Sequence, residues 1–354
     1  MMRQHIAVLG AGNMGTAVAQ VLAKLSHRVW LWDYNRETVD AIMRTGSNAR
    51  FLPGVKLSKR IVPEADMQKA VEQARLVIVA CASPYVRSTV QQMVQCFGIT
   101  PPTSPYLKGR NRSIVAHVVK GLEPKTNLTM HEVVQSELPV QLRRGVVTIS
   151  GPSIAKEFVC GVPTGVVAAS QDNKATELVR RVFEDSSSRS KRTVLKSVFK
   201  VAVSSDWKGV SICGALKNVY AIALGMCDGM RLTMNAKAFM FTIALAEMEQ
   251  VVVVLGGKRQ TVYGLFGAGD MVVTGLGDGR NRALGERICK EGHCKFVWAE
   301  NTQTHEGVAT TKVFYELTRH KKIFAPLLGV VYQVLYRGAD PCAEIMRFFA
   351  RVKI

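Results

Sequence analysis

The stretch Ile6-Ala7-Val8-Leu9-Gly10-Ala11-Gly12-Asn13-Met14-Gly15 constrains this chain more than any other. Four apolar residues run into a glycine turn, and residues 16–25 then carry Val18, Leu22 and Leu25 on one helical stripe. Strand, glycine turn and helix in that order form the phosphate-gripping corner of a dinucleotide fold. Gly10 permits the sharp turn, Gly12 the close approach of a pyrophosphate, and Gly15 tight packing of the helix on the sheet. The N–H groups at the helix start face the anion. Such a glycine turn alone also fits a segment that binds nothing, so its context carries weight. A second strand, Arg28-Val29-Trp30-Leu31-Trp32, ends in Asp33, 18 residues past Gly15. That is near the roughly 20-residue spacing of a carboxylate that holds an adenine ribose. Asp33 favours NAD, because a carboxylate repels the 2′-phosphate of NADP, and Arg36 offers a counter-charge that leaves NADP open.

Beyond this unit the pattern alternates. Residues 76–81 are continuously apolar and residues 114–119 nearly so, as expected of buried parallel strands. Further strands are expected at 146–150, 163–169 and 196–203, and helices at 67–74, 85–97 and 175–183. Loops are expected at 48–53, 63–66 and 98–112. From residue 210 the texture is helical: 211–226, 236–255 with Asn235 as N-cap, 282–291, 307–319, 328–335 and 341–352. A stretch rich in glycine, 264–279, surrounds Asp270. The expected architecture is an α/β Rossmann domain with a mostly parallel sheet over 1–204, followed by an all-α domain over 205–354.

Composition narrows the function. Net charge is +20, from 47 basic and 27 acidic side chains, which suits anionic ligands. The basic residues are dispersed, and the densest cluster, Arg189, Lys191 and Arg192, lies among serines. Nucleic-acid binding is therefore not expected as the main role. The longest clean apolar runs, 76–82 and 251–255, are too short to cross a bilayer. The first strand begins by residue 6, leaving no room for a signal peptide. Eight scattered cysteines without CxxC spacing read as free thiols of a cytoplasm-like compartment. Cys289, His293 and Cys294 lack a second ligand pair, so no metal site is expected. The ending Arg351-Val352-Lys353-Ile354 is a poor relative of a peroxisomal address.

Five places in the chain suggest chemistry. Lys120 closes the strand at 114–119, either as an exposed base or as a group in the cofactor crevice. Gly151-Pro152-Ser153 turns into a helix start. Lys217 sits in the apolar stretch Ile212-Cys213-Gly214-Ala215-Leu216-Lys217-Asn218-Val219-Tyr220, and Asp270 in Leu265-Phe266-Gly267-Ala268-Gly269-Asp270-Met271. Burying either charge alone is costly, so the two are expected to pair, structurally or as a proton donor with its partner. Arg280-Asn281-Arg282 opens a helix after Gly279, a phosphate clamp or a surface turn. Substrate is expected to close between the two domains.

Together these segments resemble the NAD(P)-dependent glycerol-3-phosphate dehydrogenases, the bacterial type in particular, over nearly the whole length. The resemblance rests on Gly10-Ala11-Gly12-Asn13-Met14-Gly15-Thr16, Lys120-Gly121-Leu122-Glu123, Ser150-Gly151-Pro152-Ser153-Ile154-Ala155-Lys156-Glu157 and Gly214-Ala215-Leu216-Lys217-Asn218-Val219. It continues through Asn235-Ala236-Lys237-Ala238, Gly267-Ala268-Gly269-Asp270, Arg280-Asn281-Arg282 and Glu306-Gly307-Val308. It implies cofactor contacts from Asn13, Met14, Tyr34, Lys120, Ala155, Arg280 and Glu306. For substrate it implies contacts from Lys120, Gly151, Ser153, Gly279, Arg280 and Asn281, with Lys217 as acid–base oriented by Asp270. The implied reaction is reversible reduction of dihydroxyacetone phosphate to sn-glycerol 3-phosphate, in a homodimer. The sequence departs from the family's usual pattern at Met14, Ala82, Ser211 and Arg231-Leu232-Thr233-Met234. Two other readings stay open: a related two-domain dehydrogenase of a 3-hydroxy acid or 6-phosphogluconate, and a nucleotide-sensing module without catalysis.

Overall fold

The computed structural model describes residues 4–97, 113–184, 199–299 and 306–352. The expected loop at 98–112 and the basic cluster around Arg189 lie outside the described residues. The chain divides into two compact units. The first comprises Met1–Val119, Met130–Ile149 and Ser153–Trp207, and the second Lys120–Thr129, Ser150–Pro152 and Lys208–Ile354.

The first unit is built on an eight-stranded sheet of order β3-β2-β1-β4-β5-β6-β7-β8. Its strands are β1 His5–Leu9, β2 Arg28–Trp32, β3 Ile61–Glu64, β4 Leu76–Val79, β5 Ile114–His117, β6 Val147–Ser150, β7 Thr164–Ala169 and β8 Phe199–Ser204. The pairs β1–β2, β1–β4, β2–β3, β4–β5, β5–β6 and β7–β8 are all parallel. Chain order reverses between β1 and β4, and the crevice beyond the carboxyl ends of such neighbours is where open α/β sheets take ligands. β4 is buried at every position, which explains its unbroken apolar run.

Two sequence expectations need correction here. Residues 63–66 read as a loop, yet β3 takes in the first two of them, Pro63 and Glu64, and only Ala65 and Asp66 lie outside strand and helix. Among the described residues only β2 neighbours β3, so this edge tolerates a residue with no N–H to donate. Within the glycine-rich residues 264–279, a π turn, Leu265–Gly269, leads into the helix Asp270–Leu276. The glycines serve close packing, since a Cβ on Gly267 would lie 1.9 Å from the Val262 carbonyl oxygen. Finally, Thr233 rather than Asn235 caps the helix Met234–Val254.

The second unit is helical and packs around the helix Trp207–Gly229, buried from Gly209 to Cys227. That helix is long and apolar enough to cross a membrane, but its apolar stretch is wholly buried within the chain, as in a core helix. It packs closely on the helix Arg280–Glu291, because a Cβ on Gly225 would lie 1.9 Å from the Arg282 carbonyl oxygen.

One buried carboxylate organises this core. Glu247, 1% exposed, accepts the N–H groups of Leu327 at 2.5 Å and Leu328 at 3.1 Å. It thereby caps the first turn of the helix Pro326–Arg337. Each buried donor left without an acceptor costs about 1–3 kcal/mol, so Glu247→Ala should lower unfolding free energy by several kcal/mol in a urea melt. Burial pushes the Glu247 carboxyl up to about 7 against those hydrogen bonds. The folded chain therefore holds this proton more tightly than the unfolded chain. The group's contribution to stability falls as pH rises from the ordinary glutamate value to about 7, and is flat above. Subtracting the Glu247→Gln stability profile from that of the wild type isolates this slope. A difference that climbs over the interval would refute the assignment.

Candidate functional site

In the first unit the glycine corner fits a dinucleotide phosphate on steric grounds. Gly10 has φ +114°, and a Cβ there would lie 2.7 Å from the Cys81 nitrogen. A Cβ on Gly15 would lie 1.9 Å from the Gly10 carbonyl oxygen. Both positions therefore require glycine. Gly12 differs: its Cβ direction meets nothing within 4 Å, leaving open space for a ligand to approach the backbone. Gly12 also caps the helix Asn13–Lys24, and no side chain caps that end. Among the described residues no side chain thus takes its first N–H groups, the geometry that receives an anion.

A cavity of about 460 Å³ opens from this corner. Asp33, Tyr34, Arg50, Phe51 and Tyr85 line it together with Gly10 and Gly12. Asp33 is buried, and both its oxygens accept backbone N–H groups, Oδ2 from Ala11 at 2.6 Å and Oδ1 from Asn35 at 2.9 Å. The carboxylate braces the glycine turn besides lining the cavity. Tyr34 is exposed, with its ring centroid 6.4 Å from that of Tyr85. Asn13 is exposed, and Met14, Ser153 and Ala155 are half-buried.

The second unit gathers the charged candidates. Lys217 and Asp270, 53 residues apart, meet at 2.5 Å between Nζ and Oδ1. Lys120 reaches the other oxygen, Nζ to Oδ2 at 2.6 Å, and donates to the Gly151 carbonyl at 3.2 Å. One carboxylate, 1% exposed, thus holds two ammonium groups. Lys217 donates a second hydrogen bond to Thr274 Oγ1 at 2.7 Å, and that hydroxyl donates to the Asp270 carbonyl at 2.7 Å. An ammonium carries three N–H groups. Among the described residues, Lys217 and Lys120 each use two and keep one. Burial lowers the Lys217 pKa below the ordinary lysine value. Asp270 opposes that shift, and the neighbouring Lys120 charge reinforces it. An ammonium made more acidic in this way can give up a proton.

Around this cluster, Asn218 donates to Glu306 Oε2 at 3.2 Å, and Asn281 Oδ1 accepts the Gly307 N–H at 3.3 Å. Burial raises the Glu306 carboxyl against the pull of Arg280, Lys217 and Lys120. Gly279 caps the helix Arg280–Glu291 with no side-chain cap, and Arg280 is exposed beside it. Thr274 and Ser150 were given no role by the sequence, and Asn218 entered it only as the neighbour of Lys217. The buried Ser150 Oγ has no partner among the described residues. It would lie 3.4 Å from a Cβ on Gly214, on the same helix as Lys217. Asn218 adjoins Lys217, and that adjacency was the one usable signal.

A ready dinucleotide corner on one unit and an acidified, carboxylate-held ammonium on the other define a nicotinamide-dependent oxidoreductase. The comparisons with known proteins carry this to a family. Residues 5–176 match the N-terminus of NAD-dependent glycerol-3-phosphate dehydrogenase, and residues 206–346 match its C-terminus. A glycerol-3-phosphate dehydrogenase (NAD(P)+) of Moorella thermoacetica is 39% identical over 339 residues, 95% of this chain and 93% of the relative. One of Bacillus velezensis is 35% identical over 351 residues, 99% of this chain and 95% of the relative. The crystal structure of glycerol-3-phosphate dehydrogenase from Coxiella burnetii matches with TM-score 0.84 and 30% identity, covering 99% of each chain. This chain belongs to the NAD-dependent glycerol-3-phosphate dehydrogenase family.

Proposed function

We propose that this chain reversibly reduces dihydroxyacetone phosphate to sn-glycerol 3-phosphate with NAD(P)H. The observation that carries the reading is the pair of ammonium groups on Asp270, each with one N–H unspent. Lys217 donates its remaining proton to the C2 carbonyl oxygen as that oxygen gains charge. Asp270 and Thr274 fix the direction of that proton. Lys120 steadies the substrate oxygens from the other carboxylate arm, beside Gly151 and Ser153. Arg280 and the N–H groups after Gly279 take the phosphate, with Asn281. Gly10, Gly12, Asn13, Met14, Gly15, Asp33 and Tyr34, with Ala155, Arg280 and Glu306, would hold the nicotinamide cofactor, which would supply the hydride when bound. We assign cofactor holding to a sheet domain, 1–204, and the proton chemistry chiefly to a helical domain, 205–354, in a cytoplasmic homodimer. These last assignments rest on the family resemblance.

NADH and NADPH oxidation, followed at 340 nm with dihydroxyacetone phosphate and with unphosphorylated dihydroxyacetone, tests the reading. Turnover should require the phosphate, and equal rates with both ketones would reject the clamp. Arg280→Ala should raise KM about 10–100-fold, the worth of one charge-assisted hydrogen bond, because that contact holds ground and transition state alike. Its kcat should stay within about threefold. An unchanged KM would remove Arg280 from the substrate site.

A further inference from the structure

In the first unit, beneath the carboxyl end of β5, lies a buried polar chain that the reaction does not use. His117 and Thr148 are register partners on β5 and β6. His117 Nδ1 lies 3.1 Å from the Val119 carbonyl oxygen, and its Nε2 lies 2.8 Å from Thr148 Oγ1. His131 Nδ1 lies 2.9 Å from the same hydroxyl, and the His131 ring stacks on Trp207 at 4.2 Å. His117 and His131 are each 1% exposed.

Donor counting fixes every proton in this chain. A carbonyl only accepts, so His117 Nδ1 carries hydrogen and donates to Val119. A neutral His117 then has a bare Nε2, which accepts from the Thr148 hydroxyl. That hydroxyl has a single proton, so its bond to His131 must come from His131 Nδ1–H. His131 Nε2 is left as a buried acceptor, and it has no partner among the described residues. Burial keeps both rings neutral, lowering His117 to about 4 and His131 well below its ordinary value.

The chain ends on the peptide that begins the Lys120 backbone. Val119 is the last residue of its segment in the first unit, and its carbonyl shares a peptide plane with the Lys120 nitrogen. We propose that His131, Thr148 and His117 form a positioning relay that sets the peptide before Lys120, and so the direction of the Lys120 side chain. The relay rests on the role given above to Lys120. Its members are assigned no contact with substrate or cofactor and act through Lys120.

Two measurements test it on the full-length protein. Long-range ¹H–¹⁵N NMR of histidine-labelled wild type should show both His117 and His131 as neutral Nδ1–H tautomers at pH 7. A His117 resonance with hydrogen on Nε2 would overturn the relay whatever the enzyme does. Thr148→Val keeps the side-chain shape and removes the hydroxyl. It should cut kcat/KM for dihydroxyacetone phosphate at least fivefold while NADH affinity stays within twofold. Thr148→Ser should restore kcat/KM to within twofold of wild type. If Thr148→Val reacts like the wild type, or if Thr148→Ser fails to rescue, the proposal fails. Absence of turnover in the wild type would refute the reading of the active site instead, and the NMR result would still judge the relay.

Discussion

Lys217→Met lowers kcat for dihydroxyacetone phosphate reduction by about 10²–10⁴-fold, the usual worth of a positioned general acid. Methionine keeps the apolar stem and its packing within Trp207–Gly229, and removes only the proton donor. The helix around position 217 is buried and apolar, so loss of a desolvated charge there does not threaten the core. Asp270 retains Lys120 as its ion partner at 2.6 Å. NADH affinity, measured by fluorescence titration, should be unchanged, because the glycine corner is built on other residues. A kcat within tenfold of wild type would show that another group donates the proton.

Asp270→Asn acts on both stability and rate. It removes the single negative charge between two ammonium groups, which then repel each other in a buried setting. Removing one partner of a buried ion pair costs about 3–5 kcal/mol, and urea denaturation should show a loss of that order. Activity should fall at least as far as in Lys217→Met, since the lysine loses both its charge partner and its orientation. The double variant Asp270→Asn/Lys217→Met should recover part of the stability, because one unpaired ammonium is gone, yet none of the activity. Additive stability losses in that pair would mean that the two side chains do not interact.

The legible parts of this fold were local. The apolar run, glycine turn and helix at 6–25 need only near neighbours to be recognised, and the parallel sheet followed from alternating strand and helix patterns. The Lys217–Asp270 pair was readable across 53 residues because two buried charges of opposite sign leave each other as the inexpensive solution. What stayed hidden depends on tertiary placement. Thr274 is an ordinary threonine until the turn before Asp270 folds and brings its hydroxyl to Lys217. Ser150 gains interest only as an orphan oxygen beside Gly214. The helix Asp270–Leu276 was masked by glycines whose purpose is contact: a Cβ on Gly275 would lie 2.5 Å from Leu224 Cδ1. Nor does spacing reveal that Asp33 braces the Ala11 N–H, since the same carboxylate position reads as a ribose contact.

The measurement that bears most directly on the central claim is the pH dependence of single-turnover reduction, followed by stopped-flow loss of NADH fluorescence. If the Lys217 ammonium is the acid, its proton must be present, so the rate falls as pH rises through its folded pKa. Burial sets that value below the ordinary lysine range. The account predicts a falling limb in the wild type, centred below the ordinary lysine pKa, and no such limb in the residual rate of Lys217→Met. A wild-type rate that is flat with pH, or a limb that persists unchanged in Lys217→Met, would contradict it.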